Sequence, residues 1–168
     1  MKVLSLDTSL TKTGWAVVSV TNRKPSVIDY GLIKTNAKLT DGERLHQIVD
    51  GINAIIEKYP DIGSHIPREA GMVFGFATAT KQIFKSHGAT EYALADYKIE
   101  DVNIQSVKAW AASVTGVKAK GSKTTKANVA KAVEMTLGLS DIKNNAGGDI
   151  TDAIGVAIVY LKRIGAID

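Results

Sequence analysis

The chain contains no cysteine, which excludes a disulfide framework and any thiolate zinc site. That agrees with a reducing compartment. Its apolar runs are short, and none approaches the roughly 20 residues that cross a bilayer. The opening MKVLSLDTS meets an acid at position 7, so it reads as a strand and not as the hydrophobic region of a signal peptide. No internal repeat and no low-complexity linker is present. The histidines His46, His65 and His87 are scattered, so no histidine set competes as a transition-metal site. These absences point to a soluble, cytoplasmic protein with no membrane segment and one domain over residues 1–168.

At 168 residues and 45% hydrophobic, the chain is long enough to bury a core without staples and too apolar to be disordered. The charge excess is mild, 21 basic against 17 acidic residues. Its distribution says more. Lys118, Lys120, Lys123, Lys126 and Lys131 fall within fourteen residues that hold no acid. Such a run is either a solvated loop and helix start or an anion-binding patch.

Periodicity predicts a first strand over Val3–Ser9, a second over Gly14–Val20 and a third over Ser26–Thr35. Leu45, Ile48, Val49, Ile52, Ile55 and Ile56 at helical spacing predict a helix from about Thr40 to Tyr59. A fourth strand is expected over Ser64–Gly71, against the resistance of Pro67, which has no N–H for a ladder. A helix from Ala77 to Ala95, a strand Asp101–Gln105 and a helix capped by Ser106 and ended by Gly116 follow. A further helix runs from about Thr124 to Leu137, and the last begins at Asp149 or Thr151 after the break NNAGG. This mixed α/β order is that of the ribonuclease H-like fold: a central mixed five-stranded sheet flanked by helices, with the first strand in the middle.

The chemistry is in the acids. An apolar strand that ends on Asp7 and runs at once into Thr8-Ser9 holds a carboxylate for a turn or for a reaction, since a buried unpaired acid costs stability. In GGDITDAIGVAIVYLKR, Asp149 and Asp152 are three apart and project from nearly one face of the first turn. Acids are drawn to helix N-termini by the macrodipole, and two at fixed spacing also suit a hard divalent cation. If this helix packs beside the first strand, Asp7, Asp149 and Asp152 converge, and Glu69 at the end of the fourth strand joins them. Magnesium, or manganese, would neutralise such a cluster, and two ions could activate water and stabilise a leaving oxygen at a phosphodiester.

Four segments, LSLDTSLTKTGWAVV, IPREAGMVFG, QSVKAWAASVTG with SKTTKANVAKAVEMTLGL, and the closing helix, together resemble the RuvC family of Holliday junction resolvases, in order and over nearly the whole chain. The resemblance implies a homodimeric, magnesium-dependent endonuclease that nicks branched DNA: four-way junctions, three-way junctions and replication forks. It implies Asp7, Glu69, Asp149 and Asp152 as metal-binding acids and Lys108 as a catalytic lysine near the scissile phosphate. Lys126 would serve DNA-backbone binding or transition-state charge, with Lys118, Lys120 and Lys123 along the DNA. An aromatic wedge at the junction centre would come from Phe74 or Phe76, whose other reading is core filling. Thr8-Ser9 in place of the family's usual Pro-Gly, Pro67 before the glutamate, and a longer basic link between the lysines are similar to a divergent phage-borne member of the kind carried by lactococcal phages.

Rival classes are an ATP-binding module of the actin–hexokinase type, for which the chain is too short, a silent junction binder, and a nuclease of the same fold on RNA–DNA hybrids. Two-fold symmetry matches the two nicks that resolve a junction, and the helix from Ala77, with Ile83, Phe84 and Tyr92, is the expected dimer surface.

Overall fold

Short apolar runs bounded by turn residues become strands, and longer runs at helical spacing become helices. In order they are β1 (Lys2–Asp7), β2 (Lys12–Thr21), β3 (Lys24–Lys34), α1 (Asp41–Lys58), β4 (His65–Glu69), α2 (Ala77–Ala93), β5 (Lys98–Val102), α3 (Ile104–Thr115), α4 (Ser122–Leu137) and α5 (Asp149–Arg163). The structure, a computed structural model, describes residues 1–71, 75, 77–143, 145 and 147–168. The strands form one mixed sheet in the order β3-β2-β1-β4-β5, antiparallel from β1 to β3 and parallel from β1 through β4 to β5. The expected five-stranded sheet is present, and β1 is its middle strand.

Helices cover both faces. Val3, Ala16 and Val18 share one buried cluster with α3, α4 and α5, including Val107, Val129, Val133, Ile150, Ile154 and Ile158. Leu4, Leu6, Val17 and Ile66 share the other with Ile48, Ile52 and Ile55 of α1 and with Leu94 after α2. The α1 start is fixed by a capping box: the Glu43 N–H donates to Thr40 Oγ1, and the Thr40 N–H donates back to Glu43.

Four expectations shift. The fifth strand is Lys98–Val102, not Asp101–Gln105, because Asn103 is already the N-cap of α3 and its side chain accepts from the Gln105 N–H at 2.8 Å. Ser106 therefore lies inside the first turn, and Gly116 ends the helix in the left-handed region as expected. The α4 helix starts at Ser122, two residues before the expected Thr124. Pro67, expected to weaken β4, is buried inside it. Its missing N–H is tolerated because the ladder with β1 is short, with a single register pair, Leu6 opposite Arg68.

Candidate active site

Strand alternation assigns the side chains to faces before any helix is placed. On β1, Leu4 and Leu6 enter the α1 layer. Val3 joins the α5 layer, and Ser5 donates its hydroxyl to the Ala153 carbonyl of α5 at 2.8 Å. Asp7 continues the Val3–Ser5 series and faces α5. On β4, Ile66 and Arg68 belong to the α1–α2 side, so Glu69 falls on the same side of the sheet as Asp7.

Two glycines bring the closing helix to that spot. Gly14 lies opposite Asp7 in register, and a Cβ there would stand 2.0 Å from the Asp149 carbonyl oxygen. Glycine thus lets α5 begin directly against β2. Gly148, the N-cap of α5, has φ 82°, and a Cβ on it would meet Lys126 Cδ at 2.9 Å. The lysine stem crosses this open backbone. Its ammonium donates to the Gly147 carbonyl and stands 3.3 Å from Asp149 Oδ1 and 3.5 Å from Asp152 Oδ2.

The acids feel one another's charge. Burial first, then the negative charges of Glu69, Asp152 and Asp149, push the Asp7 carboxyl well above its ordinary pKa. Burial and Asp152 raise Glu69 to about 7, against Lys126 and Lys108, which pull it down. Burial raises Asp152 to about 6, with Lys126 opposing. Burial alone would lower the Lys126 ammonium, but Asp152 and Asp149 raise it net. Among the described residues, no three His, Asp or Glu side chains are drawn tightly enough together to cage a metal as they stand. Repelling carboxylates keep their distance, and a lysine provides positive charge between them. The donor set nevertheless fits a hard divalent cation. It is carboxylate oxygen throughout, three of its members are held above their ordinary pKa, and a cationic group already rests among them.

The other expected residues divide. Lys108 is half-buried and, with Lys118, lines a cavity of about 310 Å³ between α3 and α4. Lys118, Lys120 and Lys123 are exposed on the loop before α4 and its first turn. Lys131 is paired with Glu134 at 3.0 Å. Lys126, expected along the DNA backbone or at the reacting charge, is turned toward the acids. Phe74 and Phe76 lie outside the described residues. Sequence reasoning passed over two neighbours of the site. His87, one of the three scattered histidines, lines a small cavity of about 40 Å³ with Asp7, Thr8, Glu69 and Gly71. In the same cavity wall, Thr8 carries the one buried side-chain oxygen without a hydrogen-bond partner among the described residues. A hydroxyl directly after the strand-end acid was the available signal for Thr8. Nothing in the sequence pointed to His87.

A mixed five-stranded sheet in the order β3-β2-β1-β4-β5, with its middle strand ending on an aspartate and helices on both faces, defines the ribonuclease H-like fold class. The family model for crossover junction endodeoxyribonuclease RuvC matches residues 3–160. A RuvC of Treponema denticola is 31% identical over 95% of this chain and 85% of its own length. One from Prochlorococcus marinus subsp. pastoris is 26% identical over 98% and 99%. The chain belongs to the RuvC family, which is a family of metal-dependent nucleases. In fold it matches T. thermophilus RuvC in complex with Holliday junction substrate, with a TM-score of 0.78 at 19% identity, covering 99% of this chain and 98% of that one. It also matches fowlpox virus resolvase in complex with substrate Holliday junction DNA, with a TM-score of 0.58 at 14% identity over 98% and 99%.

Proposed function

We propose that this chain is a metal-dependent, structure-selective DNA endonuclease that nicks Holliday junctions and other branched DNA by hydrolysing phosphodiester bonds. The reading is carried by one observation: in a member of the RuvC family, acids from β1, β4 and α5 stand close enough to raise one another's pKa, with the Lys126 ammonium 3.3 Å from Asp149 and 3.5 Å from Asp152. Asp7, Glu69, Asp149 and Asp152 would hold Mg²⁺, with Mn²⁺ as the alternative and two ions per site. Bound, the ions would neutralise the acids and polarise the phosphate.

The remaining work falls to the chain's own groups. Lys108 counters the charge of Glu69 and Asp152, which puts it within electrostatic reach of a phosphate held at those acids. Lys126 serves the reacting charge more directly than the DNA backbone, because its ammonium lies between Asp149 and Asp152. Lys118, Lys120 and Lys123 are exposed cations for the flanking backbone, and Phe74 is the aromatic proposed to stack at the branch. The partner protein is a second copy of the chain. Phe84 and Tyr92 on α2 are 51% and 78% exposed, and Tyr92 lines a cavity of about 630 Å³ between α1 and α2. We assign the activity to one domain, residues 1–168, working in the cytoplasm, that of the host for a phage-borne chain.

Nicking of synthetic four-way, three-way and RNA–DNA hybrid substrates, with and without Mg²⁺ or Mn²⁺, tests this. The expected result is metal-dependent nicking of branched DNA that Asp7→Asn abolishes. Preference for the hybrid would replace junction cleavage with hybrid cleavage, and junction binding without nicking would leave a silent binder.

A further inference from the structure

Arg68 immediately precedes Glu69 on β4 and points to the other side of the sheet. Its side chain is 4% exposed, and a guanidinium buried that deeply costs several kcal/mol unless its donors are matched. They are matched by two elements. Nε and NH2 donate to Asp101 Oδ1 of β5 at 3.1 and 2.9 Å. NH2 also reaches Glu91 Oε1 of α2 at 3.3 Å, and NH1 reaches the His87 carbonyl of α2 at 3.4 Å.

The strand end that bears Glu69 depends on such an anchor. Toward β1 it has one register pair, at Arg68 itself, and Pro67 brings no N–H to that ladder. Toward β5 its ladder is regular, with Arg68 opposite Asp101 and Glu69 opposite Val102. However, β5 is the edge strand and has no neighbour beyond it. Two residues past Glu69, Gly71 lies against the His87 ring, which a Cβ there would meet at 3.2 Å. The α2 helix therefore touches the catalytic strand end from both sides of Glu69.

We propose that Arg68 is a positioning residue that ties β4 to β5 and α2 through Asp101, Glu91 and the His87 carbonyl, and so fixes the Glu69 carboxylate relative to Asp7. The proposal rests on the nuclease reading above. It also makes α2, the proposed partner-facing helix, mechanically continuous with one acid of the site.

The test compares Arg68→Met, Arg68→Lys and Asp101→Asn with Arg163→Met. The last removes an arginine that donates to the Asp101 carbonyl and pairs with Glu100 on the same edge strand, and whose hydrogen bonds and ion pair among the described residues go to β5. Arg68→Met is expected to lower kcat on a four-way junction by about tenfold to a hundredfold, with KM and metal-free junction binding held within about twofold. Arg68→Lys recovers part of the loss and Asp101→Asn shows a smaller one. The rise in thermal midpoint on adding Mg²⁺ shrinks in Arg68→Met and persists in Arg163→Met. An unchanged kcat, a change confined to KM, or an equal loss in Arg163→Met would overturn the proposal. Should Arg68→Met not fold, Arg68→Lys and Asp101→Asn decide on the same criteria. A wild type that nicks no branched DNA overturns the nuclease reading instead, and the Mg²⁺-induced midpoint shifts then decide the role of Arg68.

Discussion

Burial and the neighbouring acids raise Asp7, Glu69 and Asp152 in pKa, so in metal-free solution these groups oppose folding at neutral pH. Replacing Asp7 by Asn removes one carboxylate from beside the other acids and keeps the shape. We expect Asp7→Asn to raise the metal-free thermal midpoint by about 2–4 °C, the equivalent of about 1 kcal/mol for a chain of this size, while nicking falls by more than about a hundredfold. A midpoint that drops would mean that Asp7 is stably paired. The pH dependence follows the same sign. A carboxylate whose folded pKa lies above its unfolded value binds its proton first in the folded state, so stability increases as pH falls through that interval. With Glu69 at about 7 and Asp152 at about 6, the metal-free protein should gain thermal stability as pH drops from about 7.5 toward about 5. Burial and Arg68 lower His87, which works in the opposite sense below its ordinary pKa; His87→Gln should steepen the gain. At this scale the acids were legible in the chain, Asp7 from its strand end and Asp149 with Asp152 from their helical spacing. The seat of Lys126 was not, because it depends on α4 laying a side chain over Gly148.

Elements set how closely those groups meet. The α5 helix begins against β2 because Gly14 has no side chain, and a methyl there would press on the Asp149 carbonyl. We expect Gly14→Ala to cost about 2 kcal/mol or more in stability and to reduce nicking further than the stability loss explains, as read by kcat on folded protein. Retained activity would mean that α5 need not sit where Gly14 admits it. The sequence carried strand and helix types well where periodicity was strong, as in β1, α1 and α5. It misplaced β5 by three residues, since the apolar pattern of DVNIQ runs through Asn103 and only the backbone shows that this side chain caps α3. Proline 67 misled for a related reason. A central strand tolerates it when the ladder on one side is nearly absent, and ladder length is a property of the sheet.

For the whole molecule, the cations and the exposed face of α2 are arranged on different sides of the chemistry. Phosphate contacts release counterions, so junction affinity should fall steeply with salt. Substituting Lys118, Lys120 and Lys123 with Ala should flatten the slope of log affinity against log salt by about 2–3, and an unchanged slope would place the DNA elsewhere. Phe84→Glu with Tyr92→Glu on α2 should convert a dimer to a monomer in sedimentation and leave single nicks where paired nicks occur in the parent. A dimer that persists would move the interface off α2.

By itself the sequence determined the class of fold, the strand-end and helix-start positions of Asp7, Asp149 and Asp152, and the basic character of the loop before α4. These follow from short-range rules of alternation, helical spacing and charge. Only the tertiary structure decided that Lys126 stands among the carboxylates, that His87 and Thr8 line the same small cavity, and that Arg68 braces the strand carrying Glu69. Each of those contacts joins residues far apart in the chain, and packing and ladder register, which no local pattern encodes, bring them together.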